Sequence, residues 1–115
     1  GYDVILPSAG PTNALSAGYR RLPAASITTG TPVAADSGKR IQATGPITFP
    51  SGVFSDGDFL VVDAGSSSRT ITQGSGLTLT LEASGGTGSR TLVANGRCII
   101  TYTSSTTALI SGSVT

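Results

Sequence analysis

The sequence predicts an all-β fold: a small β-sandwich or barrel-like domain preceded by an extended N-terminal arm. Three observations lead there. Ser and Thr supply 33 of the 115 residues and Gly another 16, a composition shared by disordered linkers and by β-proteins with many tight turns. The net charge is only +1, and Val, Ile and Thr are abundant and clustered, whereas disorder goes with high net charge and few β-branched residues. Short apolar runs recur between Gly-rich turns, with no stretch of helical periodicity.

The chain changes character near residue 32, which divides it into an arm, residues 1–31, and a domain, residues 32–115. The arm carries Pro7, Pro11 and Pro23 among Ala, Ser, Gly and Thr. Each Pro fixes φ and removes a donor, so the segment reads as extended or irregular. Tyr2, Val4, Ile5, Leu6, Leu15, Tyr19 and Leu22 are apolar anchors along it, the pattern of an arm that lies on another surface. A loose terminus is the plainer alternative. Arg20 and Arg21 are candidate partners for carboxylates on that surface, or else simply solvated, since exposed ion pairs contribute little.

From Pro32 onward the pattern is strand, turn, strand. Residues 39–43 form a short strand, Thr44-Gly45-Pro46 a turn, and residues 47–49 the next strand. Residues 50–55 have the composition of a single helical turn with Val53 and Phe54 packed inward. Asp56-Gly57-Asp58 leads into Phe59-Leu60-Val61-Val62-Asp63, a nearly continuous apolar run of the kind found in a central strand buried on both faces. Residues 69–73 follow as a strand. In Leu77-Thr78-Leu79-Thr80-Leu81-Glu82 apolar and polar residues alternate strictly, which fixes the register, because a one-residue slip would put three leucines in water. Residues 84–89 are a flexible loop. Residues 90–94, 97–103 and 107–111 complete the strands, with Asn95-Gly96 as a hairpin-type turn.

The core is thin. Three Phe, three Tyr and no Trp or Met leave Leu, Ile and Val to fill it, and a domain of this size buries only roughly two-thirds of its unfolded surface. Burial of a sheet face or edge against identical neighbours is therefore expected.

Chemistry is sparse. The chain has no His, the usual general base and the commonest metal ligand. Gly38-Lys39 fails as a phosphate loop, because Val33 and Arg40 stand where that motif needs Gly and Ser or Thr. The glycines around Gly74 and Gly86 fail as a dinucleotide fingerprint, with Leu79 and Thr91 at the third glycine position. Asp56 and Asp58 read as turn caps rather than cation ligands. Asp63 and Glu82 have nothing that pairs them as a glycosidase couple. Tyr102, Phe49, Phe54 and Phe59 sit where strand packing explains them better than sugar stacking. Cys98, the single cysteine, excludes an intramolecular disulfide and reads as a buried small hydrophobe. The seven basic residues are scattered among six acidic ones, so no nucleic-acid footprint arises. No apolar run approaches the ~20 residues of a membrane helix. No enzymatic activity and no cofactor are expected. A chain that opens at Gly1 without Met, and with no signal-peptide pattern, is expected either to have lost an initiator Met or to be a processed or trimmed product.

The order and spacing of the turns carry a resemblance. The residues concerned are Asp36-Ser37-Gly38-Lys39-Arg40-Ile41, then residues 47–58, Ile71-Thr72-Gln73-Gly74-Ser75-Gly76-Leu77-Thr78-Leu79, Gly88-Ser89-Arg90-Thr91-Leu92, Gly96-Arg97-Cys98 and Ile110-Ser111-Gly112. With them the block from Val33 to Val114 resembles a small β-domain of virion structural proteins of tailed bacteriophages, found in head decoration or fibre proteins and in tail fibres. It covers roughly the last two-thirds of the chain. The resemblance implies a non-enzymatic, multimeric domain, often a trimer, on the outside of a phage particle, made in the host cytoplasm. Taken as whole at 115 residues, an arm plus one domain suits a capsid decoration or cement protein that binds the major capsid protein and itself. A segment of a tail or receptor-binding fibre is the alternative, with a cellular β-sandwich binding module behind it.

Overall fold

The structure is a computed structural model that describes residues 22–115. Eight strands run through them: β1 (Arg40–Gln42), β2 (Ile47–Phe49), β3 (Phe59–Asp63), β4 (Arg69–Gln73), β5 (Thr78–Leu81), β6 (Arg90–Leu92), β7 (Arg97–Tyr102) and β8 (Thr107–Gly112). They form a five-stranded sheet in the order β1-β3-β7-β8-β5 and a three-stranded sheet in the order β2-β4-β6. From β1 to β7 each strand lies in the sheet opposite its predecessor. That alternation is why β1 pairs with β3, and β2 with β4, in parallel: the crossover a parallel pair requires is supplied by a strand of the other sheet. Only β7 and β8 form a hairpin, closed by Thr103 and Ser104, whose amides both donate to the Thr107 carbonyl.

Both sheets contribute to one core. Ile41, Leu60, Val62, Leu79, Cys98, Ile100, Tyr102, Ala108 and Ile110 come from the large sheet, and Ile47, Phe49, Ile71 and Leu92 from the small one. The fold is all-β and consistent with a small β-sandwich. The three leucines of the alternating run behave as their spacing predicts: Leu77 and Leu79 are buried and Leu81 half-buried, with Thr78 exposed. β3 is an interior strand with Leu60, Val61 and Val62 all buried. Tyr102 is the largest wholly buried side chain. Its hydroxyl donates to the Pro50 carbonyl at 2.8 Å, and its ring packs on Phe54 with centroids 4.9 Å apart. This ties β7 of the large sheet to the end of β2 in the small one.

Two local expectations change. Residues 50–55 form bends rather than a helical turn: Gly52 takes φ +76°, Phe54 packs inward and Val53 faces solvent. The only helical turn among the described residues is a 3-10 turn, Ala34–Asp36. Asn95-Gly96 does form a tight turn, with Asn95 at φ +62° and the Gly96 amide donating to the Val93 carbonyl. It joins β6 to β7 across the two sheets, however, and closes no hairpin. Turn chemistry sets a local reversal; which sheet receives the next strand is decided by burial.

All four sheet edges are covered. Beyond β1, the Arg40 amide donates to the Pro23 carbonyl and the Ala25 amide to the Arg40 carbonyl; beyond β2, Gly30 donates to Pro46 and accepts from Thr48. Residues 23–30, expected to belong to the arm, thus run parallel to both strands. Beyond β5, Leu81 donates to Gly86 and Gly88 to Leu79; beyond β6, Thr91 and Thr115 exchange a pair of hydrogen bonds. Proline stands at the first cover (Pro23) and just after the second (Pro32), where its missing N–H denies a further strand a donor.

A buried carboxylate holds the segment between these covers. Asp36 is wholly buried and accepts from the Ser26 amide at 2.8 Å, the Ser26 hydroxyl at 2.9 Å and the Val33 amide at 2.9 Å. Burial pushes its pKa up, but the Ser26 and Val33 hydrogen bonds outweigh that, with Lys39 adding to them, and the net value lies below the ordinary 3.8. A depressed aspartate contributes stability that is present above its unfolded value and lost as pH falls through the folded one. The melting temperature is therefore expected to hold from neutral pH down to about pH 5 and to fall below about pH 4. Asp36→Ala, which strands three donors, is expected to cost on the order of 3 kcal/mol in chemical denaturation.

Candidate interaction surface

The outer face of the five-stranded sheet is built by the residues that alternate away from the core. On β3 these are Phe59, Val61 and Asp63; on β7, Arg97, Ile99 and Thr101; on β8, Leu109 and Ser111. Register aligns them in rows: Arg40, Val61, Ile99 and Ser111 form one, and Phe59, Thr101, Leu109 and Thr80 the next. Four apolar side chains therefore meet on a solvent-facing sheet, with Ile99 38% and Leu109 40% exposed. Polar residues are the rule at such positions in an antiparallel pair, so the apolar ones make this face the candidate contact surface.

Val61 differs from its neighbours in being only 8% exposed. With Leu22, Ile99, Ser111, Gly112, Cys98 and Arg97 it lines a shallow hollow of about 360 Å³. Gly112, at φ +124°, belongs to its floor. A Cβ there would come within 2.4 Å of the Arg97 carbonyl, so only glycine lets β8 close against β7 at this point.

One end of the face is charged. Asp63 accepts from both Arg40 and Arg97, the latter reaching its second oxygen through Nη2 at 2.9 Å, and Arg40 also donates to Gln42. The Arg97 hydrogen bonds hold the Asp63 carboxyl below its ordinary value against the opposing effect of burial, and Arg40 adds to them. With Gln42, Gly65, Asn95 and Gly96 these side chains surround a second hollow of about 350 Å³. Two guanidiniums share one carboxylate, so this end has a net positive charge and donors to spare for an acidic or carbonyl-bearing partner.

Of the candidate arm residues, only Leu22 lies within the described residues; it is 45% exposed and sits on this face. Tyr2, Val4, Ile5, Leu6, Leu15, Tyr19, Arg20 and Arg21 lie outside them. The face itself was not singled out from the sequence, although a signal existed. Ile99-Ile100 and Leu109-Ile110 are adjacent apolar pairs in strands that otherwise alternate, and such a pair puts one apolar side chain on each side of the sheet. Asp58 is a turn cap, accepting from the Ser55 amide at 2.9 Å. Phe49, Phe54 and Tyr102 are core residues, while Phe59 is half-exposed on the outer face. Among the described residues no three His, Cys, Asp or Glu side chains group as a metal site, and no helix is long and apolar enough to cross a membrane.

No family model, curated protein or solved structure matches this chain.

Cys98 points away from the outer face into the core, 1% exposed. Burial, with Asp63 nearby, pushes its thiol up to about 12. Since only the thiolate attacks disulfide reagents, native protein at mildly alkaline pH is expected to react with Ellman's reagent hardly at all, and with one equivalent per chain once denatured.

Proposed function

We propose that this chain is a structural virion protein: a capsid decoration or cement protein of a tailed bacteriophage that sits on the outside of the capsid and acts as an oligomer, a trimer in the first instance. The observation that carries this reading is the closure of all four sheet edges around an apolar outer face. A domain built this way does not grow by strand addition. It adds to a larger body through a face and through its N-terminal segment, which is what a finite cement on a particle requires. The turn pattern from Val33 to Val114 supports the phage assignment. The absence of His, together with a buried high-pKa thiol as the single cysteine, favours a binding role over a catalytic one.

The reading makes the major capsid protein and further copies of this chain its partners, with attachment assigned to the apolar anchors that precede the domain. The test adds purified protein to phage heads that lack their decoration. Full-length chain is expected to co-sediment with the heads and to raise the temperature at which they release DNA, and light scattering is expected to give three times the chain mass. Removal of residues 1–21 is expected to abolish co-sedimentation while leaving the domain folded. Binding to host cells or surface glycans, with none to heads, would instead identify an adhesin and overturn the proposal.

A further inference from the structure

We infer that the charged and apolar hollows on the outer face of the five-stranded sheet form one two-part site for an extended segment of a partner protein. An Asp or Glu carboxylate of that segment is set between Arg40 and Arg97, and an apolar side chain two residues along is set on Val61 and Ile99. The first observation is how the hollows adjoin. Arg97 lines both of them, with Arg40, Gln42, Asp63 and Asn95 around the charged one and Val61 and Ile99 in the apolar one. Register places Asp63 opposite Arg97 and Val61 opposite Ile99. These two rows are two residues apart along each strand, about 7 Å, and side chains i and i+2 of an extended peptide stand on one side at the same spacing.

Charge supplies the second. Three of the chain's seven basic residues, Arg40, Arg69 and Arg97, gather at this end around one carboxylate, Asp63. Arg69 donates from Nε to the Ala64 carbonyl at 2.9 Å, and its Nη2 lies 3.9 Å from where a Gly65 Cβ would stand. Arg97 holds Asp63 through Nε and Nη2, which leaves its Nη1–Nη2 edge as the fork for a second carboxylate. Its side chain is 66% exposed where that of Asp63 is 13% exposed, so the cation stands outermost with its orienting anion beneath. The rim is preformed: the Asn95 amide donates to the Gly65 carbonyl at 2.6 Å and the Ala64 amide to the Gly96 carbonyl at 2.9 Å, joining the two turns that border the hollow.

The same features choose the occupant. Covered sheet edges leave a partner no strand to extend, so it is read through its side chains. Among the described residues no aromatic ring lines either hollow, which leaves a sugar without a stacking surface, and a small free anion makes no use of the apolar half. An acidic side chain with an apolar one two residues away uses both halves. The inference rests on this face being a contact surface and not on the capsid assignment. Head binding without peptide binding, or the reverse, tells the two apart.

NMR titration of the full chain with a capped seven-residue Thr peptide, carrying Glu at its third position and Leu at its fifth, tests the site. The Arg40 and Arg97 side-chain Nε–H signals and the Ile99 amide are expected to shift together, with a millimolar dissociation constant. Replacing the peptide's Glu by Gln, or moving its Leu to the fourth position, is expected to weaken binding at least about fivefold. Arg97→Gln in the protein is expected to weaken it about tenfold and Ile99→Thr about fivefold, both at exposed positions. The peptide variants leave the protein unaltered and decide the matter if Arg97→Gln fails to fold. No shift at 10-fold molar excess over about 1 mM protein would overturn the inference. So would equal binding of the Gln peptide, or glucuronate or inorganic phosphate binding more tightly than the Glu–Leu peptide, since the site would then belong to a small anion.

Discussion

Strands of three to six residues leave two sheets with a large share of their backbone at the edges, and each edge presents a row of unpaired N–H and C=O groups. The need to cover those rows organises this molecule more than any single contact does. It explains why Pro23–Ala25 lies beside β1, why the Gly30 backbone bonds to Pro46 and Thr48 on either side of Ile47, why the 84–88 loop folds back on β5, and why Val114 and Thr115 return to β6. None of these segments is a regular strand, yet each does the work of one. The buried Asp36 belongs to the same scheme. By gripping Ser26 and Val33 it fixes the stretch of chain that spans two of the four covers.

Winding follows from the same constraint. Because successive strands alternate between sheets, the parallel pairs Ala24 with Arg40 with Val61, and Gly30 with Ile47 with Ile71, stack as successive coils. A thin core suffices for such an arrangement, since each coil adds one or two inward side chains to the interior left by the last. Tyr102 then bridges the sheets where the winding gives way to the β7–β8 hairpin. With the edges occupied and the interior filled, the outer face of the large sheet, with its Arg40–Asp63–Arg97 end, is left open to solvent.

Much of this was legible in the sequence, and the physical reason is periodicity. Strand positions agree to within two residues, and β2, β3 and β4 match at both ends, because a Gly- or Pro-bearing turn flanks nearly every apolar run. The alternating leucines of β5 fixed their own register. Sheet membership was not legible. Asn95-Gly96 carries the same local signal whether it closes a hairpin or passes the chain between sheets, and only long-range burial separates the two outcomes. Asp36 was equally hidden, since a carboxylate beside Ser37 and Gly38 reads as an ordinary loop residue until Ser26 is brought to it from ten positions away. The outer face was half visible in Ile99-Ile100 and Leu109-Ile110. Its meaning depended on knowing that β3, β7 and β8 stand side by side.

Edge closure is tested most directly by amide hydrogen exchange read residue by residue. The Arg40, Thr48, Leu81 and Thr91 amides each donate to a covering segment or to the turn beside it, and are expected to exchange slowly, in the same class as the Val62 and Ile100 amides of the central strands. Exchange of those four amides at the rate of unstructured chain, with Val62 and Ile100 still protected, would show the edges to be open and would contradict the account.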